Sequence, residues 1–519
     1  MKVATRGSAL AQYQANRFID LNRSQIPGLE KLIVETKGDR DHRPFAELGG
    51  DGYFTKEIEN KLFNDEAQFA VHSAKDLPSL QHSDYPWQAF DEREATHDIL
   101  IISKSKWLST QPLANSVIGT SSPRRRAQIQ FYWSDVEIRE LRGNVPTRIQ
   151  KCLNGDYDGI ILAYAGVSRL DLLKEIPKQT HIIVELPWAT APTQGIMAVQ
   201  SKMQLQNTNE RLTKIAHTEK QFLKFLGGGC QLPLGASIES KDYWKTRIFL
   251  SEEDRVYDFE TESHTLESSC QLAFEKLCNF SGTGKKIWLT QPLEKQRKIG
   301  ARLAKSNFHP IFFPLIDRKI HFNGFNPSNV NTGSHDSLVL TSTFGAKLAA
   351  LNFGEVLKQF SDENRLLAIG AATGSFLSHL GLNVLLPKDF HGPALESLLS
   401  TKGFKNPLIV GATQSHVSKI LQDKKYSFGH WSLYKTSPVL WEGLPDKPSP
   451  KDAILFTSPS AIEALPGVTS DLKEFKEMRV FVIGPTTEKA AREAGFSNIM
   501  RSQSGNINDL LDLILEDGQ

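Results

Sequence analysis

The chain has 519 residues, enough for several domains of roughly 100–200 residues with separate cores. Lysine and arginine number 61 against 59 acidic residues, and a formal charge of +2 argues neither for a general nucleic-acid binder nor for an acidic tail, so any electrostatic function has to be local. The four cysteines, Cys152, Cys230, Cys270 and Cys278, form no C-x-x-C pair and no zinc-ligand spacing, no apolar run reaches about 18 residues, and no apolar leader follows Met1, so a reducing, cytoplasmic protein without a metal or a membrane span is expected.

In chain order, residues 2–5 read as a strand and 8–22 as a helix, with Ser8 as its cap and Leu10, Tyr13, Phe18 and Leu21 as its apolar stripe. Arg6 falls in the turn between them. Strand ends and helix N-termini favour anions there, although a surface arginine at a turn is the commoner occurrence. Residues 32–36 read as a second strand leading into a polar loop, 37–52, too long for a simple connector and therefore a lid candidate. Phe54, Ile58 and Leu62 mark a further amphipathic helix, with Lys56 at its start. The apolar run Phe69-Ala70-Val71 then ends in His72-Ser73-Ala74-Lys75-Asp76-Leu77-Pro78. A carboxylate beside a lysine at a strand's carboxyl end can stabilise a cation or move a proton; Ser73 with Asp76 can equally be a helix-capping pair.

From Val117 the pattern is strand, turn, helix. Ser121-Ser122-Pro123 reads as a cap followed by an N1 proline, and Arg124, Arg125 and Arg126 fill the first turn, where the helix dipole disfavours cations. An anion would resolve that conflict. Between Arg124 and Arg148 there are six arginines, Arg139 and Arg142 among them, against three acids, and Arg169 follows the strand predicted at 159–163. Arginine pairs with carboxylate or phosphate in a two-pronged geometry, so the cluster suits a multiply anionic substrate; a solvated basic helix face is the plainer alternative and nucleic acid a further one, although no aromatic interleaving points to stacked bases. Further on, Gly227-Gly228-Gly229-Cys230-Gln231-Leu232-Pro233 can carry a thiol on an open loop, or be a flexible turn.

Four motifs in order, Val71-His72-Ser73-x-Lys75-Asp76-Leu77-Pro78, Gly119-Thr120-Ser121-Ser122-x-Arg124-Arg125, Leu141-Arg142-Gly143-Asn144-x-x-Thr147-Arg148 and Gly228-Gly229-Cys230-Gln231-x-Pro233, resemble the signatures of porphobilinogen deaminase. The resemblance implies that Cys230 anchors a dipyrromethane cofactor and that Asp76, beside Lys75, is the catalytic carboxylate for cationic intermediates. It implies that Ser121, Arg124, Arg125, Arg142 and Arg148 hold the cofactor, and that Arg6, Ser8, Lys56 and Arg169 meet substrate carboxylates. Asp51 stands where that family usually has lysine, Pro123 where it has leucine, and Ala191-Pro192-Thr193-Gln194-Gly195-Ile196 replaces its usual Val-Gly-Gln-Gly-Ala.

Residues 236–240, 244–250 and 256–262 alternate like strands and precede a helix bearing Leu266, Leu272, Phe274, Leu277, Cys270 and Cys278; residues 282–286 form a glycine-bearing, charged linker. Beyond it the chain repeats itself. Leu338-Val339-Leu340-Thr341-Ser342 recurs 116 residues on as Ile454-Leu455-Phe456-Thr457-Ser458, and Ala368-Ile369-Gly370 recurs 114 residues on as Val482-Ile483-Gly484. Two similar α/β lobes are predicted, with hydroxyls at the strand ends. This half resembles uroporphyrinogen III synthase through Leu289-Thr290-x-Pro292, the two Thr-Ser turns and Ile483-Gly484-Pro485-Thr486-Thr487. The resemblance implies Tyr434 and Thr487 near the chemistry, each equally readable as a structural hydroxyl, and Thr341, Ser342, Thr457 and Ser458 against the substrate.

The expected fold is therefore multi-domain α/β. Residues 1–95 with 190–210 and 96–189 should form two periplasmic-binding-like lobes, and 211–281 a small α+β cysteine-bearing domain. The second half should comprise one lobe of 287–318 with 438–519 and another of 319–437, both with parallel sheets. The expected activity condenses porphobilinogen into hydroxymethylbilane and closes it to uroporphyrinogen III, in a monomer with no nucleic-acid or membrane partner.

Overall fold

The computed structural model describes residues 1–36, 38, 55–228, 231–252, 255–280, 284–306, 308–321, 334–387, 392–414, 416–441, 443–468, 472–503 and 505–517. Asp51, Phe54, Gly229, Cys230 and nearly all of the loop predicted as a lid lie outside them, as does part of the predicted linker. The fold is mixed α/β with several sheets, in two compact units.

In the first unit, β1 (Lys2–Arg6), β2 (Glu30–Val34), β3 (Phe69–Ser73), β4 (Trp87–Phe90) and the later β12 (Met197–Gln200) make one sheet in the order β2-β1-β3-β12-β4. The first three strands are parallel, and β12 runs antiparallel between β3 and β4. Ser8 caps α1 (Ala9–Asn22), accepting from the Ala11 N–H at 3.3 Å. The buried face of α1 differs from the predicted stripe: Gln14, Ala15, Phe18 and Asn22 are buried, and Tyr13 is exposed. Gln14 can face inward because its amide bonds Ser73 Oγ at 2.9 Å. The helix α2 (Lys56–Phe63) buries Ile58 and Leu62.

A second sheet, ordered β11-β5-β10-β8-β9, contains β5 (Asp98–Ser103), β8 (Val117–Gly119), β9 (Glu137–Arg139), β10 (Gly159–Ala163) and β11 (His181–Leu186); β6 (Trp107–Leu108) and β7 (Gln111–Pro112) pair apart from it. Its parallel strands β8, β9 and β10 lead into α3 (Pro123–Tyr132), α4 (Val145–Leu153) and α5 (Tyr164–Arg169). A three-stranded antiparallel sheet of β13 (Leu234–Ser240), β14 (Trp244–Glu252) and β15 (Arg255–Ser263) follows, packed with α6 (Glu210–Leu226) and α7 (Leu266–Leu277).

The boundary predicted at 282–286 is already structure at Lys285, which opens β16 (Lys285–Leu289). With α8 (Leu293–Lys305), β17 (Phe308–Phe312), β23 (Ala453–Phe456), β24 (Arg479–Val482) and β25 (Ile499–Arg501) it builds an all-parallel sheet ordered β17-β16-β23-β24-β25. One apolar core runs from Phe222, Phe225 and Phe274 to Leu289, Phe312 and Ile514, joining the three-stranded domain to this sheet. At the seam the Gln271 amide donates to Pro310 O and its carbonyl accepts from Phe312 N, both at 3.0 Å.

The second unit comprises Leu80–Asp84 and Asp317–Ser437. Its sheet, ordered β18-β22-β21-β19-β20, uses β18 (Ile316–Ile320), β19 (Ser337–Leu340), β20 (Leu366–Ala368), β21 (Pro407–Ala412) and β22 (Gly429–Pro438). Residues 80–84 lengthen its edge: Ser83 N donates to Ile320 O and Ile320 N to Gln81 O, both at 2.8 Å, and His321 Nδ1 lies 2.7 Å from Ser83 Oγ. The internal repeat is visible as backbone geometry. Ser342 and Ser458, with φ of −158° and −156°, each end a buried strand and open a helix, α9 (Thr343–Asp362) and α11 (Pro459–Ala464).

Candidate active site

The candidate residues of the first half gather where parallel strands end, the place open α/β sheets leave for ligands. The strand β3 finishes in a 3-10 turn, Ala74–Asp76. Ala74 and Leu77 are fully buried and pin the turn on both sides, and Ala74 N bonds Ile196 O at 3.0 Å. Lys75 and Asp76 remain half-buried. Ser73 makes no capping bond; its hydroxyl pairs with Gln14, so the capping-pair alternative is not what the turn uses. Burial lowers the Lys75 ammonium from its ordinary value, and adjacent Asp76 opposes that shift.

His72, just before this turn, is buried, and burial pushes its imidazole down to about 3 from 6.5. Between those values the unfolded chain binds a proton that the folded chain refuses, so stability is lost as pH falls through this window and is unaffected above it. The urea midpoint is expected to drop between pH 7 and pH 5 and to drop less in His72→Gln. Equal slopes in the two chains would refute this assignment.

The arginine-rich helix α3 begins as its residues dictate, with Ser122 accepting from Arg125 N and Pro123 at the first position. Its anion comes from inside the protein. Asp98, fully buried at the start of β5, receives Arg124 Nη1 and Arg125 Nη2 at 2.7 Å each and the Gln194 amide at 2.8 Å. Arg124 also reaches Gln128 and Ala189 O, and Arg125 reaches Ile161 O. The two guanidiniums hold the Asp98 carboxyl far below the usual range despite its burial. Removing one partner from such a group strands buried charge, at a cost of about 3–5 kcal/mol. Asp98→Asn is expected to lower unfolding free energy by about that much in urea titration; a change under about 1 kcal/mol would contradict it.

Arg148, on α4, donates from Nε to Gly143 O at 2.7 Å. Burial, followed by the like charges of Arg125 and Arg142, brings it down to about 10, and Asp76 acts the other way. Lys75 feels Asp76, Arg125, Asp98 and Arg148 together. Lys75, Asp76, Arg125, Arg142 and Arg148 therefore share one electrostatic neighbourhood. Arg142 pairs with Glu140 at 2.8 Å, and Ser121 Oγ donates to Leu141 O at 2.7 Å, tying the turns after β8 and β9. Arg6 ends β1 rather than lying in the turn, and its charge reaches His72. Arg169 turns to Gly195 O at 2.6 Å, where a φ of +84° and a Cβ that would lie 2.3 Å from Glu94 O require glycine. Lys56 is exposed at the start of α2.

Two of the three glycines before Cys230 have defined tasks. Gly227 closes α6 in the left-handed region at φ 71°, with its N–H on Lys224 O and that of Gly228 on Leu223 O. A Cβ on Gly228 would lie 2.4 Å from Leu232. Cys152, Cys270 and Cys278 are buried, and burial pushes each thiol up to about 12, which removes them as thiolate donors at neutral pH.

In the second half, Ser342 Oγ caps α9 through Gly345 N at 3.0 Å and meets the Tyr434 hydroxyl at 2.9 Å. The Tyr434 ring packs edge-on to Phe344, and the Arg318 guanidinium lies 4.9 Å from the centre of that phenyl ring. Thr341 Oγ1 donates to Val410 O. Thr457, Ser458 and Thr487 belong to the other compact unit; Thr487 is buried on α12 (Pro485–Glu493), and Ser458 Oγ meets Ser460 Oγ at 3.0 Å.

Residues 1–210 match the family model described as porphobilinogen deaminase, dipyromethane cofactor binding domain, and residues 297–512 match that described as uroporphyrinogen-III synthase HemD. The porphobilinogen deaminase of Sulfurimonas denitrificans is 39% identical over 249 residues, which cover 46% of this chain and 79% of the relative. The probable porphobilinogen deaminase of Methanocaldococcus jannaschii is 34% identical over 313 residues, 58% of this chain and 99% of the relative. The chain belongs to the porphobilinogen deaminase family. Behind its deaminase half it carries a uroporphyrinogen-III synthase domain, so one polypeptide unites a transferase and a lyase of haem biosynthesis. Among solved structures, uroporphyrinogen-III synthetase from Helicobacter pylori aligns at 18% identity and a TM-score of 0.32, over 45% of this chain and 99% of that one.

Within the deaminase half, sequence reasoning missed Asp98 and Lys220. Asp98 left a faint trace, a carboxylate opening the apolar run Ile99-Leu100-Ile101-Ile102. Lys220 left another: it interrupts the buried stripe of Leu212, Ala216 and Leu223 on α6. Among the described residues no helix is long and apolar enough to cross a membrane.

Proposed function

We propose that Asp76 is the carboxylate at which the deaminase half condenses porphobilinogen. The observation that carries this reading is the single carboxylate at the end of β3, set among Lys75, Arg125, Arg142 and Arg148. Loss of ammonia from porphobilinogen leaves positive charge on the substrate, and a fixed anion offsets charge that develops in the transition state. Asp76 can also take the proton released at the joined pyrrole carbon. Lys75, whose ammonium is made easier to deprotonate by burial, sits beside Asp76 and can return a proton.

Each pyrrole brings an acetate and a propionate, and the excess of buried positive charge around Arg148 suits them. That excess fits the dipyrromethane cofactor of this family: Cys230 would anchor it, and Ser121, Arg124, Arg125, Arg142 and Arg148 would hold its carboxylates. When bound, the group supplies the primer to which pyrroles are added. Arg124 and Arg125 would serve while braced by Asp98. Arg6, Ser8, Lys56 and Arg169 are proposed for the incoming substrate. Strand membership supports reading 1–95 with 190–210 and 96–189 as two periplasmic-binding-like lobes, and 211–281 as the cysteine-bearing domain. In the synthase half, Tyr434 and Thr487 are proposed near ring closure, with Thr341, Ser342, Thr457 and Ser458 on the substrate carboxylates. The chain is proposed to work in the cytoplasm as a monomer.

Intact mass tests the anchor. The wild-type chain is expected to exceed its sequence mass by two pyrrole units and Cys230→Ser to show no excess; equal masses for the two chains would refute the attachment.

A further inference from the structure

We infer that Lys220 is a positioning residue for the Asp76 turn, an inference that rests on Asp76 being the catalytic carboxylate. Lys220 is 3% exposed, on the inner face of α6. Its Nζ donates to Leu77 O at 2.6 Å and to Lys75 O at 3.2 Å, the carbonyls of the two residues that flank Asp76. Leu77 N in turn bonds Ala74 O at 3.2 Å, so the turn is closed internally and clamped from outside.

Burying an ammonium is costly, and an apolar side chain would fill this place without that cost. What an apolar residue cannot supply is donors to the carbonyls on either side of Asp76, which fix the Lys75–Asp76 and Leu77–Pro78 peptide planes. A 3-10 turn of three residues has little rigidity of its own, because its hydrogen bonds are few and poorly aligned. The clamp also originates on the helix that ends at Gly227, roughly 10 Å further along at 1.5 Å per residue. One rigid helix therefore fixes the catalytic carboxylate and the root of the loop that leads to Cys230.

The test compares Lys220→Met, Lys220→Gln and Lys220→Arg in the full-length chain, with Asp76→Asn as reference. Cyclisation of supplied hydroxymethylbilane by the second half reports whether each chain is folded. For Lys220→Met we expect kcat with porphobilinogen to fall about 10- to 100-fold with KM within about twofold, as displacement of a reacting group by about 1 Å would produce. Lys220→Arg, which keeps both donors, is expected to return to within about threefold of wild type. Should Lys220→Met lose cyclisation as well, the smaller loss expected for Lys220→Gln carries the comparison. Wild-type kcat in folded Lys220→Met beside an inactive Asp76→Asn would overturn the role of Lys220 alone. An Asp76→Asn chain with normal turnover would overturn the reading of Asp76, and a loss in KM with kcat preserved would make Lys220 a binding residue instead.

Discussion

Replacing Asp76 by asparagine is expected to reduce turnover of porphobilinogen by about 10²–10⁴-fold while leaving the protein folded. The substitution preserves size and removes one negative charge from a neighbourhood that contains Lys75, Arg125 and Arg148. Without that charge the cationic stages proposed for the reaction face mainly like charge, and residue 76 can no longer take up a proton. Lys75 should lose the larger of the two carboxylate influences that oppose its desolvation, Asp98 being the other, and titrate still lower. The fold should survive, because Ala74, Leu77 and the Ile196 carbonyl secure the turn through contacts that do not involve the carboxylate. Stopped assays with porphobilinogen, set beside cyclisation of supplied hydroxymethylbilane, make the comparison. Deaminase turnover within about tenfold of wild type would refute the role.

The second large effect concerns the seam between the halves. Phe312 of β17 is 2% exposed, with its ring 5.1 Å from Phe225 and 5.7 Å from Phe274. Gly300 makes room for it, since a Cβ there would lie 2.7 Å from the ring. Phe225 and Phe274 lie on α6 and α7, whereas Phe312 belongs to the sheet that β16 opens and Gly300 to α8, the helix between β16 and β17. Phe312→Ala removes a buried ring and leaves a cavity, at a cost of about 3–5 kcal/mol. Both activities are therefore expected to be lost at the same, lowered urea concentration. If cyclisation weakens while deaminase turnover keeps its wild-type midpoint, the shared core does not couple the two halves. The exposed Arg297–Glu252 pair at 2.7 Å contributes little beside it.

The features legible in the sequence are those whose physics is local. Ser8, Ser122 and Ser342 as caps and Pro123 at the first position of its helix all follow from hydrogen-bond needs within a few residues, and the turn at Ser458 repeats the backbone of Ser342 without the capping bond. Features that depend on a distant partner were hidden. The three arginines in the first turn of α3 signalled a missing anion, but sequence could not show that Asp98, 26 residues earlier, supplies it for Arg124. The stripe on α1 misled because Gln14 is buried by a bond to Ser73, 59 residues away. The linker was misplaced at its end because Lys285 pairs with Phe308, in a strand the charged composition did not announce.

What the sequence determined by itself is the family and the order of the two halves, since motifs keep residue types at fixed spacing. Tertiary structure alone decided how the charges are apportioned. It spends Arg124 and Arg125 partly on Asp98, leaves Arg148 in the field of Asp76, and sets Lys220 against the carbonyls of Lys75 and Leu77. Burial and pairing set the strength of an ionic group, and both are properties of neighbours brought together by folding, not of neighbours in the chain.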